Sequence, residues 1–387
     1  MSWRSQTLSS RNAYLLIAIL AGVLIYLLYC LYVDYSLGGN SWKQGDWLIN
    51  ELAGPVRRGL FGTALLRLSD VLWLSPLLLL ILLQGIIITL IFAIVGAAVL
   101  DLGAPDRLVL ILLSPAFVVL FWFNDPYGSV RKEILTYLAF LPLVAAALKG
   151  RAGYIACAVS GFLYSIAVFA HEGNVFFLPF LCAAMWIVLP PNAPSLARVA
   201  VIALPTLAAI GGGIYASLHS NLPDSGLMCQ QLVQRGLNSA VCDGAIAYVE
   251  RATKDAHMHP GRLLARYFRN FLLLYAVCIV SFRILVHGSA RVQLWCFGAI
   301  ASGLVFLPIY FFAIDYGRWL NFHITSLVFL SLILLLKSRP AWLYEAPSRI
   351  DYLCVLSLSL IVGVSHLGVL IDGFVVKVAR ALYSLAT

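Results

Sequence analysis

The sequence predicts an all-α, polytopic membrane protein, and three observations carry the prediction. Hydrophobic residues make up 62% of the 387 and charged residues only 11%, with a mean hydropathy of +0.93; that is more apolar sequence than a soluble core can bury. Several apolar runs meet or approach the roughly 20 residues that a hydrocarbon layer about 30 Å thick requires. The period-two alternation of a membrane barrel is absent, which leaves helices as the spanning element.

The first run, "AYLLIAILAGVLIYLLYCLYV", follows Arg4 and Arg11 without a small-residue cleavage site, so it reads as an uncleaved first span. Hydropathy and polar punctuation place spans at roughly 13–33, 75–100, 108–123, 133–148, 154–170, 174–190, 199–217, 270–286, 292–312, 322–337 and 353–371, about eleven in all. Residues 124–137 and the surroundings of His171 are the expected re-entrant segments. No repeat, low-complexity tract, linker or soluble domain interrupts the chain, so residues 1–387 read as one membrane domain. Phosphate-loop, dinucleotide and zinc motifs are absent.

Basic residues of the short connections set orientation. With the N terminus cytoplasmic, Arg4, Arg11, Arg107, Lys149, Arg151, Arg198, Arg283, Arg291, Lys337, Arg339 and Arg349 fall inside. Most other basic residues lie in two long loops, 34–74 and 218–269, which the rule discounts. Of the carboxylates, only Asp101, Asp106, Glu345 and Asp351 then fall inside. The opposite, extracytoplasmic face collects the rest. Cys229 and Cys242 lie in the second long loop. A disulfide closing about 14 residues there would contribute roughly 3 kcal/mol in an oxidising compartment; the alternative is two unpaired thiols.

Five segments bring chemistry to that face. In "GDWLINELAGPVRRGLFG", Asp46 and Glu51 precede an amphipathic interfacial segment that opens with Arg57 and Arg58. A carboxylate here suits a general base and the guanidinium groups suit a phosphate clamp; a solvated loop with snorkelling arginines fits equally. In "NDPYGSVRKEIL", Asp125 marks a turn, and Glu133 suits the start of the following helix while Arg131 and Lys132 oppose its dipole. An anion between them, or lipid headgroups, would resolve the conflict. His171 and Glu172 in "AHEGN" have no polar padding, so a functional role, an ion pair or a proton relay is expected. In the fourth segment, Arg262 and Arg266 share one face of a helix and suit lipid headgroups or a pyrophosphate. The fifth is "DYGRW": Asp315 and Arg318 are within i, i+3 reach, Gly317 would let a ligand approach the backbone, and Tyr316 and Trp319 offer faces for a sugar.

Acids, arginines and aromatics together are what sugar transfer from a polyprenyl phosphate needs: a base, cations for the leaving group and faces for the sugar. The stretch "GDWLINELAGPVRRGLFG" resembles the start of the GT-C membrane glycosyltransferases. The set "VRRGL", "RKEIL", "HEG" and "DYGRW" resembles polymerases of the Wzy type from O-antigen and exopolysaccharide assembly. The resemblance implies a GT-C-like fold in a bacterial inner membrane, Asp46 as the matched catalytic acid, an undecaprenyl-(pyro)phosphate-linked glycan as substrate, membrane lipids and a chain-length regulator or other assembly proteins as partners, and no nucleic acid. No DxD or ExD pair is present, so no cofactor is called for, although a divalent metal is compatible with the chemistry. The rival class is a flippase or transporter of a lipid-linked glycan or other anion, whose inverted repeats are not found.

Overall fold

A computed structural model describes residues 10–151, 153–220, 224–254, 260–282, 298–312 and 315–386. The fold is a helical bundle with one two-stranded hairpin. The helices are α1 (Ser10–Ser36), α2 (Lys43–Trp47), α3 (Gly59–Leu72), α4 (Pro76–Asp101), α5 (Asp106–Leu112), α6 (Val118–Asn124), α7 (Ile134–Leu148), α8 (Tyr154–Ala170), α9 (Leu178–Val188) and α10 (Ser195–Leu218). After them come α11 (Ser225–Val233), α12 (Ala245–Lys254), α13 (Pro260–Phe282), α14 (Leu307–Phe312), α15 (Tyr316–Ser338), α16 (Arg349–Ile361) and α17 (Phe374–Ala386). Among the described residues, α4, α10, α15 and the Ala13–Ser36 part of α1 are long and apolar enough to cross a membrane, and shorter apolar helices accompany them.

Periodicity explains the packing. Along α1, Leu16, Leu20, Val23, Leu27 and Leu31 are buried, the face that a 3.6-residue repeat presents to a neighbour, and α4 supplies that neighbour. Helix α3 buries Gly62, Leu65, Leu66 and Ser69 and exposes Leu68, Val71 and Leu72, the two-sided pattern expected of an interfacial helix. Gly62 is required there, because a Cβ would lie 2.0 Å from the Ile49 carbonyl oxygen.

Two expected spans take different forms. The stretch 108–123 is split into α5 and α6, with the break at "LSPAF". Pro115 removes a backbone N–H and crowds the preceding turn; buried Asn321 donates to the Ala116 carbonyl within the break at 2.6 Å. The span expected over 353–371 ends at Ile361 and turns into β1 (Val362–Val364) and β2 (Leu370–Asp372), antiparallel with Gly363 opposite Ile371. Gly363, Gly368 and Gly373 make a continued helix costly, and an amphipathic α17 follows instead.

The connections sort to two ends. At one, Arg339 pairs with Asp101 and Tyr352 with Asp106. The loops after α1, α6, α8 and before α15 meet at the other.

Candidate functional site

The first loop supplies the site's floor. Helix α2 buries Asp46, while Trp47 donates from its indole to the Val130 carbonyl at 3.0 Å. Gln84 of α4 donates to the same carbonyl at 2.9 Å and accepts from Gln44 at 3.0 Å. Val130 thus ties the second loop to the first, although its φ of +61° is unfavourable for a β-branched residue. Arg58 precedes α3 with φ +67°, a backbone cost of roughly 1–2 kcal/mol for a residue with a Cβ.

The side chain of Arg58 shows what that conformation achieves. Its Nε donates to both Glu172 oxygens at 3.0 and 2.8 Å, a terminal nitrogen donates at 2.5 Å, and the other terminal nitrogen lies 3.8 Å from Asp46. Arg57 reaches the same Glu172 at 3.4 Å, and its backbone N–H donates to the His219 carbonyl at 3.0 Å. Wholly buried Lys132 donates to the Arg58 carbonyl at 2.8 Å. Next to Glu172, His171 accepts from the Gly173 N–H on Nδ1 at 2.9 Å, which leaves the ring proton of a neutral imidazole on Nε2.

A second group adjoins the first. Arg318, at the start of α15, donates to Asp315 and to Glu133 and lies over the Trp319 ring, 5.3 Å from its centroid. Arg131 stands 3.7 Å from Asp315 and 5.7 Å from the centre of the Trp42 ring. Five cationic side chains, Arg57, Arg58, Arg131, Lys132 and Arg318, therefore meet four carboxylates, Asp46, Glu133, Glu172 and Asp315. The buried Nε groups of Arg57, Arg131 and Arg318 and one Asp46 oxygen have no hydrogen-bond partner.

Burial and charge set the protonation states. Burial raises Asp46 and Glu172, but the facing cations, Lys132 for the first and Arg58 for the second, outweigh it and hold both below the usual carboxylate range. Burial pushes Lys132 down to about 8, offset in part by Asp46. It pushes His171 down to about 3, with Arg58 acting in the same sense. Glu51 differs: half-buried and with one orphaned oxygen, its carboxyl is raised, by burial first.

Four of the five segments singled out in the sequence thus meet. The remaining one, the fourth, belongs to the cysteine loop, which holds a Cys229–Cys242 disulfide and packs on α2 through α12. The side chains of Arg262 and Arg266 lie outside the described residues. Three expectations are corrected. Tyr316 and Trp319 are 2% and 4% exposed, enclosed by the bundle, so neither offers a face to a sugar. Gly317 admits the chain's own hairpin rather than a ligand: a Cβ there would lie 1.7 Å from the Ser365 carbonyl oxygen. Asp125 stands apart from the ion cluster, accepting from the His366 backbone N–H at 2.5 Å and lying 2.6 Å from its Nδ1. Asp315 and Asp46 face Arg131 and Lys132 from within the protein, while the buried Arg131 Nε keeps no partner.

Sequence reading missed the hairpin, Gln84 and Trp42. The three glycines after Ile361 were a signal for the first. An isolated glutamine in the apolar run of α4 was one for the second. Trp42 has no local signature and is placed only by the fold.

No protein-family model, curated protein or solved structure matches the chain. The site must be interpreted from its own chemistry. Among the described residues no three His, Cys, Asp or Glu side chains gather as metal ligands do, and the cluster's carboxylates face arginine or lysine, so this donor set does not fit a divalent cation.

Proposed function

We propose that the chain transfers or polymerises glycan from an undecaprenyl-(pyro)phosphate-linked donor on the extracytoplasmic face of a bacterial inner membrane. A GT-C-like or Wzy-type enzyme of cell-surface polysaccharide assembly is the reading the site supports best. The supporting observation is the meeting of five cations from three segments, with the buried Nε groups of Arg57, Arg131 and Arg318 left unpartnered. Such donors suit phosphate oxygens. An open lateral groove of about 590 Å³ lies between α1 and α4, lined by Leu28, Tyr32, Leu82 and Ile86. It occupies the halves of those helices nearer the cluster and gives a prenyl chain an apolar surface.

In this reading Arg131, Lys132 and Arg318 hold the donor phosphate, with Arg57 at the rim. An acceptor hydroxyl oxygen attacks the anomeric carbon and its proton passes to a carboxylate. The bond from that carbon to the phosphate oxygen breaks, and its electron pair stays on the phosphate, stabilised by the cations. Glu51 is the best proton acceptor, because burial raises its affinity for a proton and one of its oxygens has no partner. Asp46 and Glu172, held down by their cations, order the arginines instead. Glu51→Gln should abolish polymer while the protein stays in the membrane; normal polymer length in that variant would refute the assignment. In a deletion strain, accumulated lipid-linked single repeats would identify a polymerase and truncated repeats a single-sugar transferase.

The unwound Ser114–Phe117 segment inside the bundle favours a second reading, transport of a lipid-linked glycan, since broken helices recur in transporters. Movement of a lipid-linked glycan across reconstituted liposomes without chain growth would select it.

A further inference from the structure

We infer that Trp42 and Tyr248 form a carbohydrate-binding shelf at the mouth of the ion cluster. This deepens the glycan-transfer reading and rests on it: the cluster would take the phosphate, and the shelf the sugar attached to it or the sugar that accepts it.

Four observations converge on these two residues. First, they are exposed, Trp42 at 41% and Tyr248 at 44%, where Trp47 and Trp319 beside the cluster are enclosed. Second, they touch, with ring centroids 5.7 Å apart and planes inclined by 55°, so together they present an angled surface instead of a flat stack. Third, each lies beside one of the cluster's cations. Arg131 lies 5.7 Å from the Trp42 ring centre, and Tyr248 is close enough to Arg57 to interact with its charge. Fourth, the shelf is held by structure on both sides. The Ala245 N–H donates to the Ser41 carbonyl at 2.9 Å, joining α12 to the turn that carries Trp42. The Asn40 side chain accepts from the Trp42 and Lys43 N–H groups at 2.9 Å each. The Cys229–Cys242 disulfide closes the loop that leads into α12.

A pyranose ring has an apolar C–H face and a hydroxyl rim, and aromatic rings with a polar edge complement the first while leaving the second to water and charged groups. A free anion would need only the arginines and has no use for the rings. Aromatics that merely anchor a helix at the lipid interface have no need to be cross-braced between two loops and set beside a guanidinium. The shelf also supplies the sugar-facing surfaces that buried Tyr316 and Trp319 do not.

The test uses full-length protein in nanodiscs, with a panel of bacterial surface oligosaccharides and inorganic pyrophosphate as separate probes. At least one oligosaccharide should bind wild type and protect Trp42 from quenching by aqueous iodide. Trp42→Ala and Tyr248→Ala should each weaken that binding by about tenfold, and Trp42→Phe and Tyr248→Phe should restore most of it. Pyrophosphate affinity of Tyr248→Ala should stay within about threefold of wild type. Failure of every oligosaccharide to bind wild type, undiminished binding in both alanine variants, or quenching of Trp42 by brominated acyl chains in place of iodide would overturn the shelf. Saccharide binding without pyrophosphate binding would instead overturn the phosphate reading of the cluster and leave the shelf standing.

Discussion

The two ends of the bundle handle charge in opposite ways. At the Asp101–Arg339 end, one ion pair lies near water: Arg339 meets Asp101 at 2.5 Å with 45% of its side chain exposed. At the other end, Arg318 is shared between Glu133 and Asp315, and Glu172 between Arg57 and Arg58. Exposed pairs of the first kind join loops and contribute little. Burying ions costs several kcal/mol each in desolvation, which their attraction only partly returns. An arrangement of the second kind, with shared and buried ions, points to a role beyond stability.

The contrast breaks most readily at Arg318. Arg318→Ala leaves Glu133 without its guanidinium and Asp315 with Arg131 alone, at a cost of about 3–5 kcal/mol, seen as loss of folded protein or a large fall in the thermal midpoint in detergent. Gly317→Ala should cost about 1–3 kcal/mol by overpacking. The Ser365 carbonyl must move away, and the Gly317 and Arg318 N–H bonds to the His366 carbonyl, 3.1 and 3.2 Å, are lost. Faster proteolysis within 362–372 would report it.

Acid should separate the ends next. The Glu172 carboxyl is depressed from its unfolded value of 4.5, so its contribution is complete above that value and lost as pH falls through the lower folded one. His171 drops from 6.5 to about 3. Between those values the unfolded chain binds the extra proton, and stability falls as pH drops. Both act in the same direction, and the thermal midpoint should fall by at least roughly 2–4 °C between pH 7 and pH 4. Glu172→Gln should show a shallower fall. The smallest effect belongs to the exposed end, where Arg339→Ala should cost between zero and about 1 kcal/mol.

What the sequence disclosed follows from how each feature is encoded. Helix positions are written locally in apolar periodicity, so α1, α4, α7, α8 and α10 are legible within a few residues. The meeting of Arg58 with Glu172 and of Glu133 with Arg318 was legible only as charges on a shared face, because partners more than a hundred residues apart leave no local pattern. Pro115 and the glycines after Ile361 were local signals outweighed by hydropathy. Burial of Tyr316 and Trp319 depends on the hairpin seated against Gly317, and the roles of Trp42 and Tyr248 on a contact between two loops. Neither can be read from residue type.

The central claim is that the buried cluster, and not the exposed end, receives a lipid-linked phosphate. Equilibrium binding of undecaprenyl phosphate to the full-length protein in nanodiscs tests it most directly. Arg131→Gln should weaken binding by about tenfold, with Arg339→Gln indistinguishable from wild type. Equal affinity in wild type and Arg131→Gln, or the same loss in Arg339→Gln, would contradict the account.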